Sequence, residues 1–161
     1  MIDSFDTLLL EVEEKGLIVD DEADLPPTIM GAYVKSKNAD VILINKNIKS
    51  IIEKRMIMAE EIGHYFTTYG DISNQENTYS RKLEKIARRW AYERLVSVDL
   101  LVEAFEKGIT DKFELADFLN VSERFLDYAV GYYKHKHGDY CTAGNYKVYF
   151  DPLRVTKLCE E

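Results

Sequence analysis

Two carboxylates and an imidazole stand close together in the segment Ala59-Glu60-Glu61-Ile62-Gly63-His64-Tyr65. Residues four apart lie on one face of a helix, so Glu60 and His64 are placed to share a metal ion. The spacing is that of the H-E-x-x-H pattern, in which the glutamate after the first ligand is a general base for hydrolysis. Glu61 holds that base position, and Glu60 replaces the first ligand histidine. The replacement leaves open a working hydrolase, an altered metal site, or an inactive protein that acts by binding.

The segment that carries these residues is predicted to be one long helix, capped by Asn45 or Asn47 and running to about Tyr69. At 100° per residue, Glu60 and His64 are about 40° apart, and Glu61 lies about 60° further round. Gly63 costs about 1 kcal/mol relative to alanine in a helix, which predicts a close approach by another backbone, such as a crossing strand. The opposite, broad arc is predicted to be core and contains Ile51, Ile52, Met56, Met58, Ala59, Ile62, Gly63, Phe66 and Tyr69.

A charged helix face produces the string E-E-x-x-H by chance, so an exposed Glu60–His64 pair is the alternative to a metal site. The neighbouring sequence carries more information. Gly31-Ala32-Tyr33 and Ile42-Leu43-Ile44-Asn45 precede the helix, and the segment from Glu84 to Val96 follows it. In this order they resemble the ImmA/IrrE family of zinc-dependent endopeptidases, which shows G-x-Y, I-x-[IV]-N, A-H-E-L-G-H-Y and E-x-x-A-[ND]-x-F-A-x-x-L-[LM]. The resemblance covers roughly residues 29 to 101.

The resemblance implies a set of functional residues. Glu84, twenty residues after His64, falls on the family's third metal ligand. Glu60, His64 and Glu84 are therefore the implied ligands and Glu61 the implied base, which takes a proton from the attacking water and later delivers one to the leaving amine. The implied cofactor is zinc. Because Glu, His, Glu is a harder donor set than His, His, Glu, it also favours manganese, iron or another divalent metal.

The sequence departs from the family pattern at three positions. Glu60 replaces a histidine, Arg88 replaces the usual Asn or Asp, and Ser97 stands where proline is common. Two negative ligands lower the Lewis acidity of a bound metal. Asp71 is a further candidate ligand, although capping or turning the chain beside Gly70 is the alternative.

Short strand candidates come first along the chain and helices follow, a pattern typical of an α+β fold. With the resemblance, this predicts a small zincin-like metallopeptidase domain with a short sheet packed on the motif helix and a helical C-terminal region. We place the metallopeptidase domain at residues 1–108. Residues 109–161 form the helical region with a terminal hairpin at Gly144-Asn145, packed on the same core.

Residues 114–122 resemble the first half of a helix-turn-helix, a motif that binds DNA. Between residues 112 and 137 there are four basic and four acidic residues, which is a poor balance for a phosphate-binding face. The net charge of −8 also argues against nucleic-acid binding. The basic helix from Arg81 to Arg94 is predicted to be a solvated face, with a docking patch for an acidic partner as the alternative.

The remaining features of the sequence indicate the cellular compartment of the protein. No apolar run approaches the roughly 18 residues that span a membrane, and the acidic start is unlike a secretory signal. Two cysteines, Cys141 and Cys159, make no disulfide framework, so a reducing cytoplasm is expected.

The resemblance predicts an endopeptidase that cleaves a helix-turn-helix transcriptional repressor of a phage or mobile element, and so acts as an anti-repressor. The alternative is a catalytically inactive zincin-like protein that binds such a repressor or another protein. In either case the expected partner is a protein. Direct binding to nucleic acid or to a membrane is not expected.

Overall fold

A computed structural model of the chain describes residues 4–67 and 77–158, with the side chains of the second segment described from residue 81. Contacts divide the chain into two compact units, the first ending at Ala91 and the second beginning at Tyr92. The domain boundary predicted after residue 108 stays a prediction. The helices are α1 (Phe5–Glu14), α2 (Ile51–Thr67), α3 (Asn77–Leu95), α4 (Val98–Glu106), α5 (Lys112–Leu119) and α6 (Glu123–His137). The strands are β1 (Ile18–Ala23), β2 (Gly31–Lys35), β3 (Asp40–Asn45), β4 (Tyr140–Ala143), β5 (Tyr146–Phe150) and β6 (Leu153–Lys157).

The first unit packs a three-stranded sheet against α1 and α2. Its strand order is β1-β3-β2, with β1 parallel and β2 antiparallel to β3. The predicted α+β class is therefore confirmed. Side chains from α1, β3 and α2 form the core of this unit and are almost fully buried: Leu8, Val12, Ile42, Ile44, Met58 and Ile62.

Neither Asn45 nor Asn47 caps α2, which begins at Ile51, so this part of the prediction is wrong. Asn45 has another role. Its side-chain amide donates to the carbonyls of Leu25, Pro26 and Ile29 at 3.2, 3.1 and 2.8 Å, and thereby fixes the loop before β2. The helix begins later, where the hydroxyl of Ser50 accepts a hydrogen bond from the backbone N–H of Glu53. A buried amide with three carbonyl partners satisfies more polar groups than a helix cap would.

The buried side of α2 also differs from the predicted arc. Ile51 and Phe66 are 57% and 43% exposed, whereas Lys54 and Arg55 are buried. Lys54 is stabilised there because its amine donates to the carbonyl oxygen of Asp21 at 2.9 Å and to both the Asp21 and Glu22 carboxylates at 2.8 Å. The predicted helix end at Tyr69 and the candidate ligand Asp71 lie outside the described residues.

The second unit contains α4, α5, α6 and a second sheet. Its helices begin at side-chain caps, Ser97, Asp111 and Ser122, and Asn120 adopts the left-handed conformation (φ 57°) that ends α5. The predicted hairpin at Gly144, which joins β4 to β5, is confirmed. The third strand of the sheet, β6, was not predicted. Within the two described segments, no helix is long and apolar enough to cross a membrane.

Candidate metal centre

The two helices that carry the candidate ligands meet backbone to backbone. A Cβ added at Gly63 of α2 would lie 2.5 Å from the carbonyl oxygen and 2.9 Å from the Cα of Ala87 in α3. The predicted close approach at Gly63 is therefore confirmed, although the approaching backbone is a helix and not a strand. Because His64 follows Gly63 and Glu84 lies one helical turn before Ala87, this contact brings the two parts of the motif together.

Glu60, His64 and Glu84 converge as the sequence predicts. Each offers one ligand atom, and the three atoms all lie within 4.8 Å of one another. The Nε2 atom of His64 is 3.5 Å from Oε1 of Glu84. Two ligands of one tetrahedral zinc lie about 3.4 Å apart, given metal–ligand distances of about 2.1 Å. The described side chains therefore fit a divalent cation.

Glu61, the predicted base, lies beside this group and is only 8% exposed. Burial raises the pKa of its carboxyl to about 8, and the negative charges of Glu60 and Glu84 add to the rise, while a hydrogen bond with the backbone of Tyr33 opposes it. Gly31 of β2 leaves the space for this carboxyl, because a Cβ there would lie 3.0 Å from Oε1 of Glu61 and 2.4 Å from Cγ2 of Ile57.

Arg88 is the residue at this centre whose role sequence reasoning missed. Its Nε donates to Oε1 of Glu60 at 2.9 Å, and its Nη2 lies 3.7 Å from Oε2 of Glu84. The sequence identified Arg88 only as a departure from a family pattern, separate from the departure at Glu60. Their opposite charges were the available signal, but a spacing of 28 residues gives no reason to expect a contact.

A cavity of about 820 Å³ opens above the centre. Strand β2, at the edge of the sheet order β1-β3-β2, forms one wall, and residues of α2 and α3 form the other. Three apolar side chains on the sheet side are well exposed: Ile29, Met30 and Val34. The cavity therefore combines an apolar rim with a floor of titratable groups.

Comparison with known proteins agrees with this geometry. The family described as the IrrE N-terminal-like domain, Peptidase M78, matches residues 22–130. The chain belongs to the Peptidase M78 family. No curated protein matches the chain significantly. The M78 match spans the edge strand, the motif helix and the helix that carries Glu84, and it confirms the resemblance found in the sequence. The M78 scaffold is that of a zincin-like metallopeptidase.

Aromatic rings connect the three elements that surround the M78 centre. Tyr65 packs edge-on against Tyr33 at a centroid distance of 5.8 Å and against Phe66 at 5.2 Å. Trp90 packs on Phe66 at 5.5 Å and is half-buried. These contacts join β2, α2 and α3 within the first unit, and they hold the helix faces that present the candidate ligands.

Proposed function

We propose that this M78 protein is a metal-dependent endopeptidase in which Glu60, His64 and Glu84 hold a divalent cation. The observation that carries the proposal is the convergence of their three ligand atoms within 4.8 Å, beside a buried carboxyl. A cation bound there would polarise the peptide carbonyl and lower the pKa of water. Zinc is the first candidate, and manganese follows because two of the three donors are carboxylates.

Glu61 supplies the proton transfers of this mechanism. In the metal-free protein the pKa of its carboxyl is raised to about 8, and the positive charge of a bound cation would lower that pKa and favour the ionised form that a base requires. Glu61 takes a proton from the attacking water and returns one to the amine that leaves when the peptide bond breaks. The hydrogen bond from the Tyr33 backbone fixes where the carboxyl points, which is a requirement for proton transfer in the transition state.

The cavity supports an extended peptide as substrate. An edge strand such as β2 offers backbone groups to a pairing segment, and apolar side chains at its rim offer contacts to alternate side chains of that segment. Ile29, Met30 and Val34 are exposed at that rim. From the family resemblance, the proposed substrate is a helix-turn-helix repressor of a phage or mobile element, cleaved in the cytoplasm to relieve repression.

A cleavage assay with a candidate repressor tests this proposal. Wild-type protein supplied with zinc or manganese should cut the repressor at a defined bond. Glu61→Gln should cut at least about 100-fold more slowly and still bind the cation, because only the base is removed. The matched control is Glu53→Gln, on the same helix and exposed, which should cleave like wild type. Equal cleavage by Glu61→Gln and wild type would contradict the role of Glu61.

A second candidate function is binding without proteolysis. The ion pair between Arg88 and Glu60 favours it, because a guanidinium already neutralises one of the candidate ligands. In that case Glu61→Gln would relieve repression as well as wild type does, with the repressor left intact. Neither proposal includes direct contact with DNA. Salt-sensitive binding to duplex DNA would therefore show a function that both proposals omit.

A further inference from the structure

The guanidinium of Arg88 reaches across two of the three candidate ligands. Its Nε donates to Glu60 at 2.9 Å, and its Nη2 faces Oε2 of Glu84 at 3.7 Å. The other oxygen of Glu84, Oε1, faces His64 at 3.5 Å. Arg88 is thus the cation that the described structure places on these carboxylates, and arginine keeps its charge at any pH at which the protein folds.

The charges show what this contact does to an incoming cation. Ionised Glu60 and Glu84 together carry two negative charges, and Arg88 cancels one of them. A divalent cation that enters beside Arg88 therefore meets a net charge of −1 from these three groups instead of −2. It also meets direct repulsion from the guanidinium, and the Glu60 oxygen that accepts from Nε has to be shared or released.

The position of Arg88 allows such a release. Its side chain is 56% exposed and borders the cavity above the centre, so the guanidinium lies next to open space rather than inside the core. An ion pair that exposed is held weakly, since water and salt screen it. The ion pairs of Arg88 therefore occupy the carboxylates of Glu60 and Glu84, but a metal ion that binds these carboxylates can displace them.

We infer that Arg88 is a built-in counter-cation of the metal centre, which competes with an entering metal ion for the carboxylates of Glu60 and Glu84 and so weakens metal binding. The inference rests on the proposed metal-binding role of Glu60, His64 and Glu84. It assigns to Arg88 the function of setting the concentration of free metal at which the centre fills. An enzyme regulated in this way would stay inactive in a cell poor in available zinc or manganese.

Calorimetric titration of the full chain with zinc and with manganese tests the inference. Arg88→Gln should bind at least one of the two cations about tenfold more tightly than wild type, because a repulsive charge and a competing donor are removed. Arg88→Lys, which keeps the charge but loses the planar fork, should lie closer to wild type. The matched control is Lys85→Gln, an exposed residue next to Glu84 on α3, which removes the same charge and should bind like wild type. Circular dichroism establishes that each variant is folded.

The outcomes separate this inference from the proposed function. Equal or weaker binding by Arg88→Gln than by wild type overturns the inference and leaves the metallopeptidase proposal in place. Binding by Arg88→Gln but not by wild type supports the inference and contradicts metal-dependent activity of the native chain. If neither protein binds zinc or manganese, both are overturned.

Discussion

Gly63 and Ala87 lie so close together that a Cβ on the glycine would be 2.5 Å from the alanine carbonyl oxygen. This contact sets the distance between α2 and α3. The candidate ligands stand within one turn of it on both helices, Glu60 and His64 on α2 and Glu84 on α3. The geometry of the metal centre thus depends on Gly63, a residue that has no side chain and cannot itself be a ligand.

We predict that Gly63→Ala destabilises the protein, although alanine is the better helix former. The added methyl has to push α3 away, at a cost of about 2 kcal/mol in the free energy of unfolding. Urea denaturation measures this change, and the same variant should bind zinc more weakly because the ligands move apart. The control is Gly131→Ala in α6, where a Cβ meets nothing within 4 Å. There alanine should stabilise by up to about 1 kcal/mol. Stabilisation at both positions would show that the helices do not touch at Gly63.

Glu61→Gln should change stability in a manner that depends on pH. In metal-free protein the folded state raises the pKa of this carboxyl from 4.5 to about 8 and so favours its neutral form. The stability contributed by that neutral form is complete below pH 4.5 and is lost as the pH rises through 8. Glutamine cannot ionise and keeps it.

The measurement is the free energy of unfolding in the presence of a chelator at pH 5 and at pH 9. The variant and wild type should differ little at pH 5, whereas the variant should be more stable at pH 9, by at most about 5 kcal/mol. Glu53→Gln, exposed on the same helix, is the control and should show no such trend. A pH-independent difference for Glu61→Gln would mean that the carboxyl is not held in its neutral form.

Lys54 is expected to be a stabilising buried charge of the first unit. Its amine joins α2 to β1 through three acceptors on Asp21 and Glu22. Removing the amine leaves those acceptors without their cation, so Lys54→Ala should lower the free energy of unfolding by about 2 kcal/mol. This loss is smaller than that for breaking a fully buried ion pair, because both acids are partly exposed. Chemical denaturation provides the value. Lys49 lies 3.9 Å from Glu22 and is highly exposed, and Lys49→Ala should leave stability within experimental error. A similar loss in both variants would argue against a special role for Lys54.

The sequence was informative where the signal is local or repeated in a motif. The spacing of Glu60, Glu61 and His64 requires only helical geometry, and Glu84 followed from the order of blocks along the chain. The hairpin at Gly144-Asn145 was predicted because glycine and asparagine adopt the backbone conformations of tight turns, a signal that also lies within a few residues.

Long-range contacts were the part that could not be predicted. Asn45 bonds to carbonyls sixteen to twenty residues earlier, so its local appearance as a cap was misleading. The same holds for Lys54, whose buried position depends on acids in β1 more than thirty residues away. Arg88 meets Glu60 only after α2 and α3 pack together. In each case a polar group is satisfied by a partner whose proximity is a result of folding.

The central claim is that Glu60, His64 and Glu84 together bind one divalent cation, and metal content tests it most directly. Protein without a tag, purified without chelator and supplied with zinc or manganese, should carry close to one metal ion per chain by mass spectrometry. Glu60→Ala, His64→Ala and Glu84→Ala should each lose that ion, while Glu61→Gln should keep it. Wild-type protein that stays metal-free with both ions supplied would contradict the claim and favour a non-catalytic binding protein.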